Sequence, residues 1–117
     1  MMKKCRFIPA FAASMLLALA GCDRESLPPP AGGVLLDVRS AEEFQTGALP
    51  GARNLPHDQL AGRAAAELTD RDAPVKLYCR SGRRSALAAE TLRKLGYTRI
   101  YDLGAMENAR STLKSAP

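Results

Sequence analysis

The sequence is short of several residue types on which common functions depend. Its 117 residues contain no tryptophan, three tyrosines, three phenylalanines, three cysteines and one histidine. Because few aromatic side chains are available to stack on bases, nucleic acid is not an expected partner, although the formal net charge is +5. The histidine, His57, has no group of cysteines, histidines or carboxylates at ligand spacing beside it, so no metal site is expected.

The first 22 residues, MMKKCRFIPAFAASMLLALAGC, account for part of the positive charge. Basic residues precede an apolar run from Phe7 to Ala20, which is long enough for the core of a signal peptide and short for a bilayer span. We therefore predict that residues 1–21 are a removable signal peptide. Without its basic residues, 14 basic and 12 acidic residues remain, a net charge of +2.

This segment ends in a motif that resembles the lipobox of bacterial lipoproteins, Leu19-Ala20-Gly21-Cys22. The resemblance implies that Cys22 is lipidated and that the lipid anchors the protein to a membrane of the bacterial cell envelope, facing the periplasm. Asp23 resembles the inner-membrane retention signal of enteric bacteria, so the inner membrane is the expected location. A plain secretory signal with a coincidental cysteine remains the alternative.

The cysteine count then becomes informative. Removal of Cys5 with the signal and lipidation of Cys22 would leave Cys79 as the only free thiol. In an oxidising compartment a structural disulfide needs a partner, and none remains. Such a lone thiol is either buried and inert or present for its reactivity.

The rest of the chain divides into a tether and one domain. Residues 22–33, CDRESLPPPAGG, are polar, rich in proline and glycine and without periodicity, which predicts a tether. Residues 34–117 alternate between strand-like and helix-like segments. The predicted strands are 34–38, 52–56, 74–79 and 98–103, and the predicted helices are a short one opened by a Ser40/Glu43 capping box, 57–68, 83–95 and a tail from about Met106. Such alternation predicts an α/β fold with a parallel sheet and helices on both faces.

Cys79 falls at the carboxyl end of a predicted strand, where reactive groups of such sheets lie. The helix that follows should begin near residues 82–84, because it has an apolar stripe at helical spacing. That stripe comprises Leu87, Ala88, Thr91, Leu92 and Leu95. Unpaired amides of the first helical turn would stabilise a thiolate and lower the pKa of Cys79. We therefore predict Cys79 to be a nucleophile.

Three arginines stand around this helix start, although helix N-termini normally favour acidic side chains. They are Arg80, Arg83 and Arg84. With Gly82 allowing close approach of the backbone, guanidinium groups and amides together would attract an oxyanion. The alternative is that the arginines are simply solvated and that Cys79 is a small core residue.

These segments resemble the single-domain rhodaneses, the thiosulfate sulfurtransferases, over essentially the whole of residues 34–117. Several motifs agree in order and spacing with that family. They are Asp37-Val38-Arg39, the GALPGARN turn, the Cys-x-x-Gly-x-Arg loop, Gly96-Tyr97 and the Gly104 turn. With its signal and one short domain, the chain looks most like the phage-shock-type rhodaneses of the periplasm. The resemblance implies a three-layer rhodanese-like domain.

The resemblance also implies a mechanism without a metal or organic cofactor. Cys79 would attack the outer sulfur of thiosulfate, release sulfite and hold the sulfur as a persulfide until cyanide or a thiol takes it. Asp37 and Arg39 would be supporting residues that order the loop region. The active loop that would bind the sulfur and its anionic donor comprises Arg80, Ser81, Gly82, Arg83, Arg84 and Ser85.

Three positions depart from the family pattern. Ala48 stands where histidine is frequent, Ala105 replaces the second glycine of a turn, and Ala109 replaces a frequent tryptophan. Because of the last two changes, the docking of the C-terminal segment is the feature that the resemblance predicts least well.

Two alternative functions belong to the same fold. Phosphatases related to this family place an arginine six residues after the cysteine, where this chain has Ser85, so phosphatase or arsenate reductase activity is disfavoured. A non-catalytic module that holds sulfur or binds a partner is the other alternative, although its inactive members usually lack the loop cysteine.

Overall fold

A computed structural model describes residues 29–115 of the chain. The predicted signal peptide, the predicted lipidation site Cys22 and the first part of the predicted tether lie outside the described residues. No helix between residues 29 and 115 has the length and apolar character needed to cross a membrane.

Strands and helices alternate along the chain, as the hydrophobic pattern predicts. The strands are β1 (Val34–Asp37), β2 (Arg53–Asn54), β3 (Val75–Cys79) and β4 (Ile100–Ala105). The helices are α1 (Ala41–Thr46), α2 (Leu60–Glu67), α3 (Arg83–Lys94) and α4 (Met106–Ser115). The strands form one sheet in the order β2-β1-β3-β4, in which every neighbouring pair is parallel. The predicted α/β class is confirmed.

Strand β3 is buried along its whole length and separates two layers of the core. Because successive strand residues face opposite sides, Leu77 and Cys79 belong to one layer and Tyr78 to the other. The first layer contains the inward side chains of α2 and α3, and the second contains those of α4. Helices therefore cover both faces of the sheet, and each fully buried leucine contributes roughly 1.5–3 kcal/mol relative to an exposed one.

The C-terminal segment docks as helix α4. Ala109, which stands where a tryptophan is frequent in the resembling family, is fully buried beside Leu49, Tyr78 and Leu103. Ala105 ends β4 and pairs with Cys79 across the sheet. Both alanines are thus placed in the core and the sheet.

The predicted apolar stripe of α3 is wrong at its first position. Leu87 is 50% exposed, because the buried face of α3 consists of Ser85, Ala88, Ala89 and Leu92. At close-packed density, alanine and serine fit between the helix and the sheet where a second leucine would need more room. The predicted start of the helix is confirmed, since α3 begins at Arg83.

Several element boundaries differ from the prediction: β2 is only Arg53–Asn54, β4 extends to Ala105, and α2 and β4 both begin later than predicted. Residues 57–59 form a turn in which the Gln59 amide donates to the Pro56 carbonyl at 2.9 Å, so α2 begins later than predicted. The Thr98 amide donates to the Arg71 carbonyl at 3.1 Å, outside the sheet, so β4 also begins later. In both places a local hydrogen bond takes a backbone group that the regular element would otherwise use.

The last residues of the predicted tether lie against the domain. Pro29 is buried, and the Lys76 ammonium donates to the carbonyls of Pro30 and Ala31, each at 3.2 Å. Gly33 has φ +87°, and a Cβ there would lie 2.0 Å from a neighbouring backbone oxygen, so only glycine fits. The chain is therefore held in a defined position where it enters β1.

A buried polar cluster joins β1 to β3 and to the turn that precedes β2. The Asp37 carboxylate accepts from the Arg39 guanidinium at 2.7 Å and from the Tyr78 hydroxyl at 2.8 Å. Tyr78 in turn accepts the Leu49 amide at 3.0 Å, and Arg39 also donates to the Gly47 carbonyl at 2.7 Å. Burial raises the pKa of Tyr78 to about 12, so its hydroxyl keeps the proton that it donates. The cluster fixes the turn against the end of the sheet.

Replacement of Tyr78 by phenylalanine tests this cluster. Tyr78→Phe leaves a buried carboxylate and a buried amide without one of their partners, so we expect a loss of about 1–3 kcal/mol in the free energy of unfolding, measured with urea. Tyr101→Phe is the matched control, because Tyr101 is half-buried and its hydroxyl makes no hydrogen bond within residues 29–115. Equal losses for the two variants would contradict the role given to the Tyr78 hydroxyl.

Candidate active site

Cys79 is the last residue of β3 and has an exposed fraction of 0%. Its position at the carboxyl end of a parallel strand is the one that the sequence predicts. Within residues 29–115 it is the only free cysteine.

The active loop, residues 80–85, places hydrogen-bond donors around the sulfur. The Gly82 amide donates to Sγ of Cys79 at 2.9 Å. Burial raises the pKa of Cys79, but hydrogen bonds from the backbone and side chain of Ser85 and from the amides of Gly82 and Ser81 lower it, and the net pKa lies below the ordinary value. The loop thus favours the thiolate, the form that acts as a nucleophile.

The backbone of Gly82 makes this loop possible. Its φ of +103° lies in the left-handed region, which side chains other than glycine rarely adopt. Helix α3 has no side-chain cap at its N-terminus, so the amides of its first turn remain available to the sulfur. The sequence therefore positions Gly82 both to turn the chain and to supply a donor.

An irregularity in β4 supports the loop from the other side. Leu77 pairs with Asp102 and Cys79 pairs with Ala105, so β4 has one more residue than β3 between these two pairs. A Cβ added to Gly82 would contact the Ala105 nitrogen at 3.6 Å, which shows how closely the loop packs on this bulge. Bulges of this kind commonly redirect a strand beside an active site.

Ser85 lies at the inner end of the active loop and is fully buried. Its hydroxyl donates to the Gly82 carbonyl at 3.0 Å, which closes the loop on itself. A hydroxyl has one proton and can rotate, so the same group can also donate to the sulfur when that carries a negative charge. Ser85 therefore both closes the loop and helps to stabilise the thiolate.

The three arginines of the loop do not share one environment. The Arg84 guanidinium donates to both carboxylate oxygens of Glu43, at 2.7 and 3.1 Å. Arg80 is 77% exposed and lies 3.7 Å from the same carboxylate. Arg83 is exposed and makes no ion pair within residues 29–115. Of the three loop arginines, Arg84 is therefore paired with Glu43, Arg80 is weakly engaged, and Arg83 makes no ion pair within residues 29–115.

The charged groups near Cys79 suit an anion. In the part of the chain that the structure describes, no cluster of three or more histidines, cysteines or carboxylates is placed to hold a metal ion. The loop instead offers amides and arginine side chains, which are the groups that bind oxyanions in proteins.

The predicted supporting residues, Asp37 and Arg39, are connected to the active loop through Tyr78, which precedes Cys79 in the chain. Asp37 and Arg39 bind each other and the turn at Gly47, and Asp37 also holds Tyr78, the residue that precedes Cys79. None of their hydrogen bonds reaches the sulfur within the described residues. The supporting role that the family resemblance implies for Asp37 and Arg39 stays a prediction.

Two residues of the site were not singled out from the sequence as site residues. Glu43 was interpreted only as part of a capping box, which it does form with Ser40. Its second use, as the partner of Arg84, joins residues 41 positions apart and has no local signal. Tyr78 falls within the predicted strand 74–79 and carries no separate prediction, although a buried tyrosine indicates a hydroxyl that needs partners.

Comparison with known proteins gives a consistent result. A family model described as "Rhodanese-like domain" matches residues 23–109. The thiosulfate sulfurtransferase PspE of Escherichia coli is 36% identical over 83 residues, which cover 71% of this chain and 80% of PspE. The uncharacterized protein YqhL of Bacillus subtilis is 51% identical over 69 residues, and the match covers 59% of this chain and about half, 53%, of YqhL.

A solved structure agrees with these matches. The structure described as "rhodanese with anions from E. coli" has a TM-score of 0.61 and 35% sequence identity to this chain. The superposition covers 64% of this chain and 88% of that one.

The role of Ser85 can be tested through the pH dependence of thiol reactivity. Ser85→Ala removes a group that lowers the pKa of Cys79, so the rise of the alkylation rate with pH should shift to higher pH. At neutral pH the rate with iodoacetamide should fall by roughly threefold to tenfold, the worth of one hydrogen bond. Ser81→Ala is the control, since only the backbone of Ser81 acts on the sulfur. A profile for Ser85→Ala that coincides with the parent would contradict this role.

Proposed function

The chain belongs to the rhodanese-like family, and from that membership we propose that it is a sulfurtransferase that carries a sulfane sulfur as a persulfide on Cys79. The observation that carries the proposal is the 2.9 Å hydrogen bond from the Gly82 amide to Sγ in a loop that lowers the pKa of the thiol. A persulfide places a negative sulfur one bond further out, where the same amides can bind it. Thiosulfate is the proposed donor, because PspE is named for that activity.

The first half of the reaction loads the sulfur. The Cys79 thiolate attacks the outer sulfur of thiosulfate, the sulfur–sulfur bond of the donor breaks, and sulfite leaves with the electron pair. A new sulfur–sulfur bond joins Cys79 to the transferred atom, and the negative charge moves to that atom. The charge stays within the loop, whose amides would bind the transferred sulfur as they bind the thiolate.

The second half of the reaction returns the thiolate. An acceptor such as cyanide or a thiolate attacks the outer sulfur of the persulfide, and the bond to Cys79 breaks. The products are thiocyanate or a new persulfide, together with the original thiolate. Because the leaving group is a thiolate of lowered pKa, this step is also favoured by the loop.

A phosphatase function is less compatible with the site. Hydrolysis of a phosphate ester over a cysteine needs a guanidinium group that clamps the phosphate. Position 85 holds a serine, and the guanidinium of Arg84 is bound to Glu43 at 2.7 Å. The loop is therefore better suited to a single sulfur atom held by amides than to a phosphate held by arginine.

We also propose that a lipid on Cys22 anchors the domain to the inner membrane and that the domain faces the periplasm. The proposal rests on the lipobox-like sequence, because Cys22 lies outside the described residues. The donor and acceptor would then be small anions or thiols of that compartment.

Substitution of Cys22 tests the anchor. Cys22→Ala should move the protein from the membrane fraction to the soluble fraction when cells are lysed and fractionated, since a lipid contributes about 0.8 kcal/mol for each buried methylene group. Cys5→Ala is the matched control and should stay with the membrane, because Cys5 lies in the signal segment. Equal membrane retention of Cys22→Ala and the parent would contradict lipidation at Cys22.

The sulfurtransferase proposal is tested by the intact mass of residues 23–117 before and after exposure to thiosulfate. The parent should gain the mass of one sulfur atom and lose it again on addition of cyanide, with thiocyanate appearing in solution. Cys79→Ser should gain nothing, although its circular dichroism should match the parent.

The other outcomes are also informative. A parent that gains sulfur and then keeps it in the presence of cyanide and thiols would be a carrier. A folded parent with a free thiol that gains no sulfur would overturn thiosulfate as the donor.

A further inference from the structure

Glu43 is a residue of α1 whose carboxylate contacts two arginines of the active loop. We propose that Glu43 is a specificity-determining residue, whose carboxylate offsets the loop arginines and so limits the preference of the site for dianionic over monoanionic sulfur donors. The proposal rests on the sulfurtransferase function proposed above. It assigns to Glu43 a role beyond capping α1.

The geometry shows how firmly Glu43 is engaged. Arg84 binds its two carboxylate oxygens at 2.7 and 3.1 Å, and Arg80 approaches one of them to 3.7 Å. The Ser40 amide and hydroxyl donate to the same carboxylate, each at 3.1 Å. The side chain of Glu43 is only 23% exposed, so solvent screens these contacts incompletely.

The carboxylate stays ionised wherever the thiolate exists. Hydrogen bonds from Arg84 and from the Ser40 backbone lower the pKa of Glu43 to about 2. The charge of Glu43 is therefore a constant feature of the site at physiological pH.

The carboxylate acts on the sulfur through the loop. Arg80 and Arg84 belong to the loop that surrounds the sulfur. The pKa of Arg84 is raised mainly by its hydrogen bond to Glu43 and to a smaller extent by the charge of Cys79. Arg39 also interacts with Glu43, so this carboxylate faces three guanidinium groups, those of Arg39, Arg80 and Arg84. Loss of its charge would raise the positive potential at Cys79.

A dianion responds to such a change in potential more strongly than a monoanion does. By Coulomb's law the interaction energy scales with the charge of the donor, so any change doubles for a dianion. The charge of Glu43 should therefore matter most for thiosulfate and less for an organic thiosulfonate, which donates its sulfur by the same chemistry. In that reaction the thiolate attacks the outer sulfur, and a sulfinate leaves with the electron pair.

Glu43→Gln is the suitable variant. Glutamine also forms capping boxes, so it can still accept the Ser40 amide and start α1. Glu67→Gln is the matched control, because Glu67 is likewise paired with an arginine, Arg63, at 2.6 Å. Glu67 lies beside Val34 and Val75, at the opposite end of the strands from Cys79.

The first experiment measures the potential at the sulfur without any sulfur donor. Purified protein is alkylated with monoanionic iodoacetate or with neutral iodoacetamide, and modification at Cys79 is followed by peptide mass spectrometry. The iodoacetate rate divided by the iodoacetamide rate should rise about threefold to tenfold in Glu43→Gln and stay unchanged in Glu67→Gln. Arg83→Ala, which removes a positive charge, should lower the ratio. Denatured parent gives the ratio of an unfolded chain, so an unfolded variant is recognised.

The second experiment measures donor choice. Sulfur loading of Cys79 is timed with thiosulfate and with an aryl thiosulfonate, and the thiosulfate rate should gain more than the thiosulfonate rate in Glu43→Gln. Glu43→Asp keeps the charge, so its thiosulfate rate divided by its thiosulfonate rate should lie within about twofold of the parent value.

The outcomes separate the two proposals. An unchanged alkylation ratio in folded Glu43→Gln, or an equal rise in Glu43→Asp, would overturn the role of Glu43. A parent that loads no sulfur from either donor would overturn the sulfurtransferase function, while the alkylation ratio still decides the role of Glu43.

Discussion

The hydrogen bonds from loop amides to the Cys79 sulfur are the interaction on which the rest of the site depends. A buried thiolate has lost its water and persists only where fixed donors replace it. Those donors are mainly backbone groups, with the Gly82 amide at 2.9 Å, so no single side chain can supply them. Their positions can only be set by the fold, which must hold the end of β3 and the start of α3 in one geometry.

The structure meets this requirement from three sides. The sulfur is fixed because β3 is buried along its length. The loop is fixed because Gly82 turns the chain against the bulge in β4. The strand end is fixed because the Asp37 and Arg39 pair holds Tyr78, the residue before Cys79. The hydrophobic layers on both faces of β3 hold these three features in one rigid arrangement.

The charged and polar groups around Cys79 have different partners. Hydrogen bonds from Ser85 and from the loop amides lower the pKa of Cys79 and offset the effect of its burial. Among the loop arginines, Arg84 and Arg80 contact Glu43, whereas Arg83 makes no ion pair within residues 29–115. In the proposed function, the amides and Ser85 act directly on the sulfur, whereas the arginines meet the anionic donor.

The sequence by itself determined the features that depend on neighbours along the chain. Alternating patterns predict the α/β fold, and a lone cysteine at a strand end, followed by Gly82 and a helix start at Arg83, predicts the loop. Backbone conformation and helix periodicity are local properties, so a linear pattern records them. Only the tertiary structure decided that Leu87 faces outward, that β4 gains a residue beside Cys79, and that Glu43 meets Arg84. These features depend on how α3 packs and how strands distant in sequence pair, because the space and the partners they require exist only once the sheet has formed.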